Sequence, residues 1–368
     1  MKKLYVFNSP SYVMDHPSHT CGQVLNSDPL SEHYTYMYYN FIKFGLVDQV
    51  VIFPRKGPHD NHRDEIIDKI EVEKGKFIVN NWDRENMIKI INSDPGSYGY
   101  CFSEYETCRE LKDIFVMFNP VILGTNSRNC LDKKYHHYAI LEGISHQAKF
   151  KTVPADIPIG ISRTTCKKFT ELDVDKIQKT EKVYDWIMIS SFDPRKRQVE
   201  FLRMLSRDPR FKNLKGCIAG RNPDNKGYLN NGHHVLKEVK NIASNVDIYF
   251  NTNDELKIEL LSKSKIFVNT AEFEYGPRAM IEAIQAGVPI FTMPHIGVSD
   301  LVTPGKNGET IQRMEDVSKF YEMLDKYNAG EYLTSAKHVS QSIKPEFIYP
   351  ELVKDIKEKS KIFNENLF

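Results

Sequence analysis

The stretch IFVNTAEFEYGPRAMIEAIQAGVPIFTMP, residues 266–294, decides how this sequence folds. It begins with an apolar run of strand length and passes through a loop that contains Glu274. A segment suited to a helix follows, since Pro277 fits a first helical turn and Gly287 fits a helix end. Another apolar run covers 288–292. This order of strand, loop, helix and strand is typical of a parallel α/β sheet.

The same order recurs through the rest of the chain. We predict buried strands wherever a short apolar run ends in turn residues, at 4–8, 50–53, 76–79, 99–102 and 115–118 in the first half and at 186–190, 217–219 and 246–250 in the second. Intervening helices imply parallel strands joined by right-handed crossovers. We predict further helices at 31–44, 195–206, 254–263 and 345–365.

The length of 368 residues favours two domains over one. We place a Rossmann-like domain at 1–165 and a second at 166–345, with helix 346–368 packing back on the first. The segment 162–181, rich in Thr, Lys, Asp and Glu, is the predicted linker. Two α/β domains of similar size, with a cleft between them, suit one small ligand that binds beyond the carboxyl ends of the strands.

Composition excludes several other classes of protein. Lys plus Arg is 50 and Asp plus Glu is 49, so there is no strong nucleic-acid signal. No apolar run has the length of a transmembrane segment, and the N-terminal apolar run is too short for a signal peptide. The six cysteines form no CxxC pair, which argues against a disulfide framework or a zinc site. These features indicate a cytoplasmic protein without a metal ion.

Two glutamates near the helix at 277–287 suggest a ligand site. Seven residues separate Glu274 from Glu282. Glu274 would lie on the loop over the helix N-terminus, and Glu282 about one turn inside the helix. A helix N-terminus favours anions through its dipole and its amide groups. An isolated pair of this kind is more often two solvated charges, so the surrounding sequence has to decide.

That surrounding sequence resembles retaining glycosyltransferases of family 4. The two glutamates match the family's Glu-x7-Glu signature, and five further short matches follow the family's order: IPIGI (157–161), FDPRKR (192–197), GVPIF (287–291), GVSD (297–300) and PGKNGE (304–309). The resemblance covers about 157–310 and is thin over 1–150. It implies a GT-B fold, in which two Rossmann-like α/β domains face each other across a cleft, and transfer of a sugar from a nucleotide-sugar donor with retained configuration.

The resemblance also implies roles for individual residues. Lys196 matches the lysine that contacts the donor diphosphate, and Glu282 matches the glutamate that binds the ribose hydroxyls. Glu274 matches the glutamate beside the donor sugar, within the loop that also contains Tyr275 and Gly276. The donor, such as a UDP- or GDP-sugar, is a substrate, and no cofactor is implied. The acceptor would be a sugar, lipid or glycan hydroxyl bound mainly by the first domain.

The sequence departs from the family at two positions. Ser191 replaces an arginine that contacts the diphosphate, and Pro277 has no N–H where the family uses backbone donors. Arg197 or Arg278 would supply the missing positive charge. Gly220 and Arg221 follow a strand where the donor nucleotide approaches, although an ordinary turn explains this pair equally well.

Three weaker features complete the candidate set. Ser9, His19 and Gly22 lie on the loop after the first strand, where we expect acceptor contacts. Asp173-Val174-Asp175 has the form of a metal-binding DxD motif, but its place in the charged linker favours solvated carboxylates. The aromatic run YTYMYYNF (34–41) fits packing inside the first domain better than binding at a membrane surface, because it lacks a basic face.

Two alternative functions remain open from the sequence. One is a GT-B-fold protein that binds a sugar or a partner without catalysis, which Ser191 and Pro277 favour. The other is a phage-type glycosyltransferase that acts on modified DNA bases. The balanced charge argues against the second, because a DNA-acceptor enzyme needs a basic groove.

Overall fold

A computed structural model describes most of the second half of the chain and selected elements of the first. The described residues are 1–9, 33–54, 77–79, 89, 98–101, 122–123, 137–141, 159–161, 165–223, 231–272, 277–294 and 301–365. The chain divides into two compact units. One comprises Met1–Leu141, Gln147–Ser162 and Pro345–Phe368, and the other comprises Glu142–His146 and Arg163–Lys344. The strand predicted at 115–118 lies outside the described residues.

The described strands of the first unit form one parallel sheet. They are β1 (Lys3–Ser9), β2 (Gln49–Pro54), β3 (Phe77–Val79), β4 (Tyr98–Cys101), β5 (Ile122–Leu123), β6 (His137–Leu141) and β7 (Ile159–Ile161). Their order is β3-β2-β1-β4-β5-β6-β7, and every pair is parallel. The direction in which the chain adds strands reverses between β1 and β4, so Ser9 ends a strand at this switch point.

The aromatic run after residue 33 is part of the first unit's core. It forms α1 (His33–Lys43), where Met37, Tyr38 and Phe41 are buried against the apolar residues of β1 and β2. Burial of these side chains confirms packing and not membrane contact as their role. Among the helices that the structure describes, none combines the length and apolar character needed to cross a lipid bilayer.

The second unit contains a second parallel sheet. Its strands are β8 (Tyr184–Ile189), β9 (Gly216–Gly220), β10 (Val246–Phe250), β11 (Ser264–Asn269), β12 (Ile290–Thr292) and β13 (Gly308–Thr310), in the order β10-β9-β8-β11-β12-β13. The central strands are apolar over most of their length because both faces are covered. Trp186 on β8 and Ile266 on β11, for example, have no exposed surface. Parallel α/β architecture is therefore confirmed.

Helices flank the strands of this second sheet. They are α2 (Lys167–Thr170), α3 (Val174–Lys179), α4 (Gln198–Leu205), α5 (Gly232–Ile242), α6 (Asp254–Ser262), α7 (Arg278–Gln285), α8 (Val317–Asn328) and α9 (Leu333–Ser342). Two 3₁₀ turns, Pro194–Lys196 and Pro209–Asn213, precede α4 and β9. Gly287 follows α7 with a φ of 68°, a left-handed conformation that suits glycine at a helix end.

The segment predicted as a linker is folded over its described part, residues 165–181. Helices α2 and α3 occupy it, and Phe169, Val174 and Ile177 are buried. The prediction of a linker was wrong there because these three apolar residues are buried, whereas Asp173 and Asp175 are exposed, as predicted. Asp173 caps α3 by accepting a hydrogen bond from the N–H of Lys176 at 3.1 Å, so helix capping explains the first carboxylate of the DxD sequence.

The last helix, α10 (Pro345–Glu365), packs on the first unit. Tyr349, Leu352 and Ile356 join the core that contains Phe41. The ring of Tyr349 meets the ring of Phe41 edge-on, with the centroids 5.6 Å apart. Lys43 and Glu346 form an ion pair at 2.8 Å between α1 and α10.

Replacing the buried aromatic residue of α10 should destabilise the first unit. We expect Tyr349→Ala to lower the free energy of unfolding by about 3 kcal/mol, the cost typical of deleting a buried ring. Phe347 is 64% exposed on the same helix, so Phe347→Ala should change it by less than about 0.5 kcal/mol. Denaturant unfolding measures both. Equal losses would contradict the packing of α10 described above.

Candidate functional site

The carboxyl ends of β8 and β11 form the switch point of the second sheet. The two strands are neighbours, and Ile266 pairs with Trp186. After β8 the chain adds β9 and β10 on one side, whereas after β11 it adds β12 and β13 on the other. The connections that leave these two strands therefore diverge and open a crevice between them. In open α/β sheets, ligands bind at such a point.

A basic turn follows β8. The side chain of Asp193 accepts hydrogen bonds from the N–H of Arg195 at 2.9 Å and from the Arg195 guanidinium at 2.6 Å. The 3₁₀ turn then ends at Arg197, whose φ of 56° is left-handed. The predicted continuous helix over 195–206 is wrong at this residue, and α4 begins only at Gln198. The break turns Lys196 and Arg197 into part of a compact cationic turn.

A second turn of the same sequence shows what Asp-Pro-Arg does by itself. Asp208 accepts hydrogen bonds from the N–H of Arg210 at 2.9 Å and from its guanidinium at 2.8 Å. In both turns, the hydrogen bond from the arginine side chain lowers the pKa of the aspartate carboxyl group below its ordinary value. Asp-Pro-Arg is thus a capping unit. The first copy differs in its place at the switch point and in the lysine and arginine that follow it.

The cationic turn is joined to the segment that follows β11. The N–H of Glu272 donates to the carbonyl oxygen of Arg195 at 2.7 Å, and the Thr270 hydroxyl donates to the carbonyl oxygen of Lys196 at 3.5 Å. The guanidinium of Arg197 lies 3.6 Å from a carboxylate oxygen of Glu272. These contacts place Lys196 and Arg197 beside the start of the loop that leads to α7.

Helix α7 positions a buried carboxylate. Pro277 is its N-cap, and the carbonyl oxygen of Pro277 accepts hydrogen bonds from Met280 and Ile281. Glu282 is therefore in the second turn, as predicted from a start near residue 277, and is 7% exposed. Its Oε1 lies 2.8 Å from the Nζ of Lys257 on α6. Arg278, the first residue of the helix, is exposed.

Sequence reasoning missed Lys257, which also lies 2.8 Å from Asp254 Oδ1. The spacing of Asp254 and Lys257, three residues apart at the start of a helix, is a signal for an ion pair within that helix. No sequence signal indicates that the same lysine reaches Glu282 on another helix, because the two are separated by 25 positions.

Backbone and side-chain contacts also fix the end of β9. A Cβ atom added to Gly220 would lie 2.4 Å from the carbonyl oxygen of Ser190, so this close approach requires glycine. Gln198 donates to the Ser190 hydroxyl at 3.0 Å and to the carbonyl oxygen of Ser191 at 2.6 Å. Gly220 therefore lies against the residues that follow β8, and Arg221, partly buried, comes next.

Several predicted site residues fall elsewhere. Glu274, Tyr275, Gly276, His19 and Gly22 lie outside the described residues. Ser9 ends β1 in the first unit, opposite Pro54 of β2. Within the described ranges, no group of three or more His, Cys, Asp or Glu side chains is arranged to hold a metal ion. The structure thus joins the turn of Lys196 and Arg197 to residues 270–272 and places Gly220 against Ser190, which follows β8.

Residues 169–341 match the family glycosyl transferases group 1. This range contains the cationic turn, the end of β9 and α7. The match confirms the resemblance to glycosyltransferases and the assignment of the chain as an enzyme of that kind. No curated protein matches the sequence significantly.

Solved structures similar to the whole chain are glycosyltransferases with the GT-B fold. Sucrose-phosphate synthase from Thermosynechococcus elongatus is 13% identical, with a TM-score of 0.62 and coverage of 100% of this chain and 99% of that one. A UDP-forming trehalose-phosphate synthase from Burkholderia xenovorans is 10% identical, with a TM-score of 0.58 and coverage of 97% and 99%. HepE from Anabaena, solved with UDP and glucose, is 12% identical, with a TM-score of 0.57 and coverage of 100% and 99%. These likenesses confirm the predicted GT-B fold.

Removing the cap of the cationic turn should lower stability in a pH-dependent way. We expect Asp193→Ala to reduce the free energy of unfolding by about 1 kcal/mol at neutral pH, the usual value of a capping side chain. Because the pKa of Asp193 is lowered in the folded state, its contribution is present above the ordinary aspartate pKa of about 3.9. It is lost as the pH falls through the lowered pKa.

Urea unfolding of the wild type and of Asp193→Ala between neutral and acidic pH measures this difference. The two curves of stability against pH should converge in acid. A difference that stays constant down to the lowest pH would contradict the assigned role of the carboxylate.

Proposed function

We infer the reaction from one premise: the chain is a glycosyltransferase whose residues 169–341 match the group 1 family. We propose that it moves a sugar from a nucleotide-sugar donor to a hydroxyl group of an acceptor, with retention of the anomeric configuration and without a metal ion. The acceptor is a glycan, a lipid or another hydroxyl compound. The second unit binds the donor, the first binds the acceptor, and the reaction takes place in the cytoplasm.

One observation carries this proposal: hydrogen bonds join the cationic turn after β8 to the segment after β11. The Glu272 N–H to Arg195 carbonyl contact at 2.7 Å fixes the cationic turn against the residues that directly follow β11. A donor diphosphate carries negative charge that increases as the sugar departs. Cations held in advance at that position stabilise this charge without reorganising. A lysine and an arginine supply the charge that a metal ion supplies in other enzymes.

Arg197 is our choice to replace the arginine that is missing at Ser191. Its side chain is 30% exposed, and it is anchored at 3.6 Å to Glu272, so its guanidinium is held close to the turn. The left-handed backbone at Arg197 is uncommon for a residue other than glycine and suggests a functional constraint. Arg278 starts α7 and is the second choice for the same contact.

The carboxylates have separate roles in this proposal. Glu282 accepts hydrogen bonds from the ribose hydroxyls, since an ionised carboxylate is a strong acceptor. Glu274 lies near the donor sugar and binds its hydroxyl groups. The donor site is completed by four further residues, Tyr275, Gly276, Gly220 and Arg221. The acceptor is contacted by Ser9, His19 and Gly22.

The chemical step follows from these positions. The bond between the anomeric carbon and the leaving phosphate oxygen breaks while the acceptor oxygen bonds to the same face of that carbon. The acceptor proton passes to the leaving phosphate, so charge and atoms balance. Lys196 and Arg197 stabilise the diphosphate as it departs, which lowers the barrier.

UDP is the nucleotide to test first. Among the similar structures, one is a UDP-forming enzyme and another was solved with UDP and glucose. GDP is the alternative that the sequence leaves open. Calorimetry with UDP, GDP and their sugars establishes whether the chain binds a donor and which one.

Loss of either charged residue at the donor site should slow turnover. We expect Lys196→Ala and Glu274→Ala each to reduce turnover more than about tenfold, as expected for the loss of a charge-stabilising contact. Turnover is measured as donor hydrolysis or transfer, and circular dichroism checks the fold. Lys212→Ala, in the second Asp-Pro-Arg turn, is the matched control and should retain wild-type turnover. Wild-type turnover in both site variants would refute the assignment.

The paired Asp-Pro-Arg turns separate positioning from general stability. Asp193→Ala loosens the turn that holds Lys196, so we expect weaker nucleoside diphosphate binding, by about tenfold or less. Asp208→Ala removes the corresponding cap of the other turn and should leave the dissociation constant unchanged. Calorimetry on the two folded variants makes the comparison. Equal weakening would mean that the first turn does not touch the ligand.

Retention is tested by the product formed first. Proton NMR during donor hydrolysis should show the anomer with the donor's configuration before mutarotation mixes the two forms. Early appearance of the opposite anomer would overturn the retaining mechanism while leaving glycosyl transfer intact.

A binding protein without catalysis is the second candidate, favoured by Ser191 and Pro277. It predicts no tight nucleotide binding, no donor hydrolysis and no transfer to any acceptor, because both departures remove contacts to the diphosphate. The calorimetric and turnover experiments above therefore distinguish the two functions on the same preparation.

A further inference from the structure

A lysine lies between two carboxylates behind the donor site. The Nζ of Lys257 lies 2.8 Å from Glu282 Oε1 and 2.8 Å from Asp254 Oδ1. It also lies 4.9 Å from the centroid of the Phe169 ring, close enough for a cation–π contact. The side chains of Lys257 and Glu282 are only 16% and 10% exposed. The charges are therefore largely shielded from water.

The charges of this group depend on one another. Burial lowers the pKa of Lys257, but the carboxylates of Glu282 and Asp254 outweigh burial, and the pKa lies above its ordinary value. Lys257 is therefore cationic at neutral pH. A shielded carboxylate without a cation beside it would take up a proton or turn towards water. Lys257 thus supplies the positive charge that faces the shielded carboxylate of Glu282.

The ion pair also fixes the direction of the carboxylate. Helix α7 is buried on both sides of Glu282, at Ile281 and Ala283, so the side chain leaves a rigid backbone. With Oε1 held by Lys257, the plane of the carboxylate is set and Oε2 has a defined direction. A ribose hydroxyl that donates to a carboxylate of fixed orientation contributes more binding free energy than one that must first order a mobile side chain.

We propose that Lys257 is a positioning residue for nucleotide recognition: its ion pair with Oε1 orients the carboxylate of Glu282 so that Oε2 accepts a hydrogen bond from a ribose hydroxyl. This inference rests on the proposed function, which assigns the ribose to Glu282. Lys257 itself does not touch the ligand. Its effect on binding passes through the carboxylate.

The chain contains a matched control for a purely structural ion pair. Lys265 and Asp185 are also 2.8 Å apart, and their side chains are 23% and 17% exposed. They lie near the amino ends of β11 and β8, whereas the proposed donor site lies at the carboxyl ends of these strands. Lys265→Met should therefore lower stability without changing how the protein discriminates between nucleotides.

The experiment compares ribonucleotide with 2′-deoxyribonucleotide binding. Calorimetry on the full chain gives dissociation constants for UDP and 2′-deoxy-UDP, and for the guanine pair if GDP binds more tightly. We expect the wild type to prefer the ribonucleotide by about five- to tenfold, the value of one hydrogen bond. Lys257→Met should bring this ratio close to one, Lys257→Arg should restore most of it, and Lys265→Met should leave it unchanged.

A double-mutant cycle shows whether Lys257 acts through Glu282. Glu282→Gln alone should remove the preference for ribose, and Lys257→Met added to it should have no further effect on the ratio. If Lys257→Met does not fold, Lys257→Gln replaces it, since glutamine keeps a hydrogen-bond donor and lacks the charge. Thermal unfolding of each variant checks the fold.

Each outcome bears on one of the two proposals. A Lys257→Met protein that keeps the wild-type ratio overturns the positioning role and leaves the proposed function intact. A wild-type protein that binds UDP or GDP without preferring ribose also overturns the positioning role alone. A wild-type protein that binds no nucleoside diphosphate overturns the proposed function, and the positioning role falls with it.

Discussion

The backbone hydrogen bond from Glu272 to Arg195 joins the two segments on which the proposed donor site depends. It can form because β8 and β11 are hydrogen-bonded neighbours, so the residues that follow their carboxyl ends begin close together. Main-chain atoms are fixed by the sheet far more firmly than side chains on a loop. The core of the second unit, where Trp186 and Ile266 are fully buried, therefore fixes the position of the cationic turn.

The site separates charge along two elements. The turn after β8 presents Lys196 and Arg197, whereas α7 presents the carboxylate of Glu282, balanced from behind by Lys257. A nucleoside diphosphate has the complementary pattern, with an anionic diphosphate and neutral hydroxyl donors on the ribose. Because Lys257 approaches Glu282 from α6, the cation that pairs with this carboxylate and the cations that we propose to bind the diphosphate come from different parts of the fold.

Much of the second unit could be predicted from the sequence because its strands are buried on both faces. The run predicted at 186–190 corresponds to β8, and the helix predicted from about 277 to Gly287 corresponds to α7. Strand β13 has only three residues, Gly308–Thr310, and no apolar run marks it. The break at Arg197 could not be predicted because arginine rarely adopts a left-handed conformation. The contact between Lys257 and Glu282 could not be predicted because it joins two helices that are separate in the sequence.

The position of α10 has a consequence for biosynthesis. Tyr349, Leu352 and Ile356 fill the core of the first unit, yet a ribosome makes them after every residue of the second. The core of the first unit therefore lacks these side chains while Arg163–Lys344 is synthesised. Domains tend to fold in the order in which they emerge, but the core of the first unit is complete only after the second unit has been made. A nascent chain that stops before residue 345 lacks the side chains that pack on Phe41 and Phe44, so this apolar surface stays uncovered until α10 is made.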